Sequence, residues 1–293
     1  MTKQTLFTGS ATAIVTPFRD GGIDYESFGN LIDFQIENKT DAIVVLGTTG
    51  ESATIAESER YEIIAFAKRR INKRVPLIVG SGTNNTQVSI RYSKSAESQG
   101  ADGLLIVTPY YNKATERGLI EHYSQIAKSV NVPIILYNVP SRTGVNMPTS
   151  VYKALSSIEN IVGIKEASGN IGYTAEIIHT CHDNYDIYSG CDDLTLPILS
   201  LGGKGVISVV SNVIPETMHT LCHEFLNGNH QKATEIQLHL IPLIKEMFKE
   251  VNPIPIKTAL YLLGKIQNEF RLPLCQSTRQ DSIEAVLKQY NLL

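Results

Sequence analysis

Short apolar runs alternate with longer segments of helical periodicity along most of this chain. The runs are TAIVTPF (12–18), DAIVVLG (41–47), VPLIVGSG (75–82), ADGLLIVTP (101–109), VPIILYNVP (132–140), IVGIKEAS (161–168), YDIYSG (185–190) and GVISVVSN (205–212). Most are β-rich and nearly continuously apolar, the pattern of a parallel sheet buried on both faces. Between them lie segments such as YESFGNLIDFQIEN (25–38), ESERYEIIAFAKRRI (57–71) and TERGLIEHYSQIAKSV (115–130). Their apolar positions recur every three or four residues, which predicts amphipathic helices. Asp24, Asn84, Thr115 and Asn170 are the expected N-caps, since short polar side chains can accept from the free amides of a first turn.

The strand–helix units recur at roughly 30 residues, the length of a βαβ crossover. Eight of them, ending near residue 227, predict an α/β fold of the closed (β/α)8 TIM-barrel type. The alternative is an open doubly wound sheet. That fold usually has fewer strands, and its G-x-G-x-x-G fingerprint does not follow the first run. The remainder of the chain reads differently: HQKATEIQLHLIPLIKEMFKE, PIKTALYLLGKI and DSIEAVLKQY predict three helices with no strand between them. The expected division is a catalytic barrel over 1–227 and a C-terminal helical domain over 228–293.

Composition excludes several classes of function. The 293 residues are 42% hydrophobic, enough for a sizeable core. The net charge of −3 and a pI of about 6.2 argue against nucleic acid and anionic membranes, which call for a clustered basic excess. No stretch reaches about 18 apolar residues, so no membrane span is expected. The leading MTKQTLFTGSATAIVTPF lacks the apolar centre and cleavage site of a signal peptide. Cys181, Cys191, Cys222 and Cys275 include no C-x-x-C, and a chain this long needs no disulfides. Reduced thiols in a cytoplasmic protein are expected.

Barrel chemistry is assembled at the C-terminal ends of the strands. The runs end in Gly47-Thr48-Thr49-Gly50-Glu51, Thr108-Pro109-Tyr110-Tyr111-Asn112, Tyr137-Asn138-Val139-Pro140-Ser141-Arg142, Lys165-Glu166, Ser189-Gly190 and Ile207-Ser208. Lys165 is the anomaly, because lysine is rarely buried without a partner. Alternation along IVGIKEAS turns Val162 and Ile164 outward, and Gly163 and Lys165 into the barrel. Loss of hydration favours a neutral amine, which attacks carbonyls. Two readings stay open: a Schiff-base nucleophile, or a lysine paired with a carboxylate at the barrel mouth. Glu166 is the natural partner for the second, yet it points the other way.

Tyr137, at the same height on the neighbouring strand, either shuttles protons or fills the barrel. Arg142 either clamps a carboxylate or is a solvated loop residue. The Gly47–Gly50 turn can offer backbone amides to a carboxylate, or simply lead into a helix. Other motifs carry less. GGKG (202–205) precedes its strand and so lies at the wrong end, and Gly80-Ser81-Gly82 lacks the lysine of a P-loop. His179, Cys181 and His182 have no standard ligand spacing. His219 and His223 stand four apart on a helix outside any H-E-x-x-H and read as surface residues. No metal is expected.

At these strand ends the sequence resembles the 4-hydroxy-tetrahydrodipicolinate synthase (dihydrodipicolinate synthase) family, within the N-acetylneuraminate lyase superfamily of class I aldolases. The resemblance spans essentially the whole chain. It rests on GTTGES (47–52), VTPYYNK (107–113), YNVPSRTG (137–144), GIKEAS (163–168), SGCDD (189–193) and GVISVVSN (205–212). It implies a cofactor-free condensation of pyruvate with L-aspartate 4-semialdehyde in lysine and diaminopimelate biosynthesis. Lys165 is the implied imine-forming residue and Tyr137 the general acid/base. Thr48 and Tyr111 are the implied proton relay, with Tyr111 lent across a tight dimer interface of a homotetramer. Thr49 is implied to contact the pyruvate carboxylate, Gly190 and Ile207 to line the pocket, and Arg142 to bind the carboxylate of the aldehyde substrate.

The alternatives are another pyruvate-dependent aldolase or lyase acting on N-acetylneuraminate or a 2-keto-3-deoxy sugar acid, and a non-catalytic barrel that binds a keto acid. Around the lysine pocket of regulated members, Ser52, Ala53, Asn84 and Tyr110 match the family. Glu57, Arg60 and Val88 depart from its histidines and acidic residue, so weak or absent feedback inhibition by lysine is expected.

Overall fold

A computed structural model of the chain describes residues 3–181 and 184–293. Eight parallel strands close into a barrel: β1 (Gly9–Ala13), β2 (Ala42–Val45), β3 (Leu77–Gly80), β4 (Gly103–Val107), β5 (Ile134–Asn138), β6 (Ile161–Glu166), β7 (Asp186–Ser189) and β8 (Gly205–Ser208). Each pairs with the next, and β8 returns to β1 with Gly205 opposite Gly9. The strands are followed in turn by α1 (Tyr25–Glu37), α2 (Glu57–Ile71), α3 (Thr86–Ser98), α4 (Glu116–Lys128), α5 (Thr149–Leu155), α6 (Ile171–Cys181), α7 (Thr195–Ser200) and α8 (Pro215–Leu226). This is the expected TIM barrel. Three more helices, α9 (His230–Met247), α10 (Ile254–Leu262) and α11 (Gln280–Gln289), complete the chain. Among the described residues no helix is long and apolar enough to cross a membrane.

Strand alternation builds two cores. Inside the barrel, Ala11, Val44, Ile78, Leu105, Ile135 and Ile207 pack together. Beneath the helices, Ile43, Val45, Val79, Ile106, Leu136 and Ile164 join a larger cluster. Phe7 plugs the barrel floor, stacked on Tyr188 with ring centroids 4.3 Å apart. The lumen is therefore filled from below, and a cleft opens toward the C-terminal ends of the strands.

Two expectations need correction. The first strand is GSATA (9–13), not the apolar run 12–18. Small residues close the ring against β2 and β8, while Ile14 and Val15 lie beyond the strand in the outer cluster. The N-cap of α3 is Asn85, not Asn84. Asn85 has extended backbone immediately before the first helical residue, and its Oδ1 accepts from the amides of Gln87 (3.0 Å) and Val88 (3.2 Å). Asp24 and Thr115 cap α1 and α4 as expected, and Asn170 Oδ1 accepts from Tyr173 N at the start of α6. His182 lies outside the described residues.

One irregularity fixes the phase of β6. Ile134 pairs with Ile161, but Ile135 pairs with Gly163, so one residue of β6 is skipped. From there Gly163 and Lys165 share the phase of Ile135 and Tyr137, both of which pack inside the barrel. Without the slip, the parity that puts Ile161 under the helices would carry Lys165 there as well.

Candidate active site

A cleft of about 420 Å³ opens at the C-terminal ends of the strands, with Thr48, Ser52, Tyr110, Arg142 and Asn252 in its wall. A smaller cavity of about 40 Å³ shares Thr48, Ser52, Gly82 and Val107 with the cleft and runs down to Tyr137. Lys165 lies next to that tyrosine. The register sets Tyr137 opposite Lys165, and Lys165 opposite Tyr188 on β7. Lys165 is 5% exposed, with Nζ 4.4 Å from the centroid of the Tyr137 ring. The ring face offers a cation a weak electrostatic attraction while leaving the nitrogen free to react.

Glu166 does not neutralise Lys165. Its Oε2 accepts from Asn138 Nδ2 at 2.9 Å and its Oε1 from Ser168 N at 2.5 Å. Burial pushes the Glu166 carboxyl above the usual carboxylate range, against the pull of those hydrogen bonds. Asp192 is a buried acid on which the Lys165 charge acts. Its Oδ2 accepts from Val209 N (3.0 Å) and Val210 N (3.3 Å). Burial pushes the Asp192 carboxyl up, while hydrogen bonds and the Lys165 charge oppose the shift. Among the described residues no carboxylate makes an ion pair with Lys165.

A second buried lysine sharpens the contrast. Lys257, on α10, is fully buried, but its Nζ donates to Glu51 Oε1 at 2.5 Å and to the Glu269 carbonyl at 2.8 Å. An ammonium held in such a pair has no lone pair to give. Among the described residues Lys165 has no comparable tie, and it lies beside Tyr137, which lines the smaller cavity.

The residues around Lys165 leave it room. A Cβ on Gly190 would stand 3.1 Å from Lys165 Cε and 2.6 Å from Ala167 Cβ, so only glycine fits. Burial, reinforced by Asp193 and Asp192, pushes the neighbouring Cys191 thiol up to about 12, which makes it an inert side chain at neutral pH. Ile207 packs in the barrel interior on β8.

The turn after β2 closes on itself through Gly50 N to Gly47 O and Glu51 N to Thr48 O, both 3.1 Å. The amides of Thr48 and Thr49 make no backbone hydrogen bond among the described residues, which leaves them available to a carboxylate. Two residues of the C-terminal extension hold this turn. Asn252 Nδ2 donates to Thr49 Oγ1 at 3.0 Å, and Lys257 grips Glu51. Asn252 also accepts from Arg142 Nη2 through its carbonyl at 3.1 Å, so it links the arginine to the turn. The sequence reading missed Asn252 and Lys257. Their only signal was polar residues inside the otherwise apolar VNPIPIKTALYLL.

The fold thus brings Thr48, Tyr137, Lys165, Arg142 and Gly190 to one end of the barrel. Tyr111 is different: it has φ +72° and is 86% exposed. Ser52, Ala53, Tyr110 and Arg60 line the same cleft. Arg60 donates to the Gly80 carbonyl at 2.5 Å, Glu57 is engaged with Arg91, and Asn84 is exposed.

Comparison with known proteins places the whole chain in a family. The profile of the Dihydrodipicolinate synthetase family matches residues 6–290. The chain belongs to this family. The 4-hydroxy-tetrahydrodipicolinate synthase of Clostridium novyi (strain NT) is 48% identical over 289 residues, covering 98% of each chain. The crystal structure of the dihydrodipicolinate synthase of Thermotoga maritima superposes with a TM-score of 0.97 at 44% identity, covering 99% of this chain and 100% of that one. A dihydrodipicolinate synthase variant described as monomeric also matches with a TM-score of 0.97 and 44% identity, over 98% of both chains. As a dihydrodipicolinate synthetase family member, the chain keeps its barrel end to end.

Proposed function

We propose that this chain condenses pyruvate with L-aspartate 4-semialdehyde through an imine on Lys165, giving 4-hydroxy-tetrahydrodipicolinate. The observation that carries the reading is a buried lysine with no ion-pair partner among the described residues, set against Tyr137, which lines the cavity at this end of the barrel. The neutral Lys165 amine adds to the pyruvate ketone. Tyr137 supplies the proton with which the carbinolamine expels water, and Thr48 relays protons to it. Loss of a methyl proton turns the imine into an enamine, whose carbon adds to the aldehyde. The amino group of the adduct then displaces Lys165 and closes the ring. The imine itself is the electron sink, so no cofactor or metal is required. The pyruvate carboxylate rests on Thr49 and the amides of the 48–49 turn, with Gly190 and Ile207 bounding the pocket.

Arg142 selects the second substrate. A guanidinium at the rim suits a short aldehyde that carries a carboxylate, rather than a polyhydroxy aldehyde. Arg142→Ala should lower kcat/KM for aspartate semialdehyde about 10- to 100-fold, the scale of a hydrogen bond to a charged group. Imine formation with pyruvate should survive. Product formation with aspartate semialdehyde, compared with cleavage of N-acetylneuraminate and of a 2-keto-3-deoxy sugar acid, tests the substrate assignment. Turnover of either sugar acid with none of the semialdehyde would decide for the related lyases.

Tyr111 acts from a neighbouring subunit of a tight dimer within a homotetramer. The support is its left-handed backbone and its exposure on its own chain. A strained, outward-pointing aromatic next to a functional cleft is expected where a partner receives it. Tyr111→Phe should lose roughly 10²- to 10⁴-fold in kcat, as for a missing proton-transfer partner. Mixing it with Lys165→Ala subunits should restore activity, since a hybrid dimer pairs the intact Lys165 of one chain with the intact Tyr111 of the other. No recovery in subunits shown to exchange would remove Tyr111 from the partner's site. The division into a barrel over 1–227 and a helical domain over 228–293 is also part of this reading, with Asn252 and Lys257 as the extension's contribution to the site.

A further inference from the structure

The two histidines that read as surface residues converge, in the fold, on one carboxylate. Asp41 immediately precedes β2, at the barrel end opposite Lys165. Its Oδ2 lies 3.0 Å from His219 Nδ1 and its Oδ1 lies 3.0 Å from His223 Nε2. Both histidines project from one face of α8, as a spacing of four residues requires. Their rings stack with centroids 3.9 Å apart, and one ligand atom from each of the three residues lies within 4.8 Å of the others. We propose that Asp41, His219 and His223 form a binding site for a divalent transition metal of the zinc class on the N-terminal face of the barrel.

The donor set fits that class. Two neutral imidazoles and a carboxylate suit borderline ions such as zinc, cobalt and nickel, with a water completing a tetrahedron. Metal–ligand bonds of about 2.0–2.1 Å put neighbouring ligand atoms of a tetrahedron roughly 3.3 Å apart. The two observed nitrogen–oxygen separations of 3.0 Å run to different oxygens of Asp41, so a carboxylate bound through one oxygen keeps one of them as such an edge while the other imidazole turns toward the same oxygen. An ion there would replace the protons that now join the imidazoles to the carboxylate.

The surroundings hold the ligands in place. Ser10 N donates to Asp41 Oδ2 at 2.7 Å, the kind of outer contact that orients a ligating carboxylate. Gly9, at φ +108°, leaves the site its space: a Cβ there would stand 2.2 Å from Asp41 Oδ2 and 2.7 Å from His223 Nε2. The side chains of Asp41, His219 and His223 are 17%, 22% and 36% exposed, so solvent and an ion can reach them. The site joins the start of β2, beside β1, to the last barrel helix. It therefore ties the two ends of the eight-unit ring together.

The test is zinc titration of the chelator-treated full-length protein, with a chromophoric chelator as competitor. One zinc per chain should bind, and cobalt(II) should give the intense visible bands of a tetrahedral site. His219→Ala/His223→Ala should weaken zinc at least about 100-fold, more than the loss of an outer-shell contact. The thermal stabilisation that zinc gives the parent protein should also disappear. His223→Gln, which keeps a polar side chain, should weaken binding too and guards against misfolding of the double variant. Absence of stoichiometric zinc, or equal affinity in folded variants (binding elsewhere, as at the exposed Cys275), overturns the proposal and leaves the cluster as a hydrogen-bonded triad.

Discussion

Lys165→Ala is expected to lose roughly 10⁵-fold in kcat or more, the scale seen when a covalent catalyst loses its nucleophile. Of the two lysines buried among the described residues, Lys257 is held by Glu51 and a carbonyl, while Lys165 has no ion-pair partner among them and a tyrosine ring beside it. Removing Lys165 therefore removes the imine itself, along with the enamine that depends on it. Borohydride in the presence of pyruvate should trap the reduced adduct on one peptide, and mass mapping should place it at Lys165. In Lys165→Ala the same treatment should leave the chain unmodified. An adduct on Lys257, or none on the parent protein, would overturn the covalent mechanism.

Lys257→Met should destabilise the fold by about 3–5 kcal/mol, the penalty for stranding one member of a buried ion pair. Lys257 and Glu51 are each 1% exposed at the side chain, so water cannot replace the lost partner of Glu51. Thermal or urea denaturation reads the loss. The double variant Glu51→Leu/Lys257→Met should lose less than the two single changes together, because no uncompensated charge then remains. Glu51 itself has a left-handed backbone at the end of the Thr48–Thr49 turn. Loosening that turn should also raise KM for pyruvate in Lys257→Met, because the proposed carboxylate subsite is built on it. A variant as stable as the parent would show that the pair does not hold the turn.

Much of the barrel is legible in one dimension. The apolar runs find seven strands closely, since a sheet buried on both faces demands continuous apolar residues. β1 escapes because its lumen-facing positions are alanines and its ends are glycine and alanine. A search for bulky residues therefore slides onto Ile14 and Val15. Lys165 is legible because a cation in an apolar strand conflicts with every local rule.

The sequence by itself determined the repeating units, the helix caps to within a residue, and the single strand lysine at the barrel mouth. These follow from local requirements, namely which face is buried and which amides need an acceptor. The tertiary structure alone decided which buried lysine is free, that Asn252 tethers Thr49 and Arg142, and that His219 and His223 meet Asp41. Asp41 and His219 are 178 residues apart in sequence, Thr49 and Asn252 203, and Glu51 and Lys257 206. No periodicity encodes such pairs. They come into contact only when the ring closes and the C-terminal helices dock, which sets side chains from opposite ends of the chain against one another.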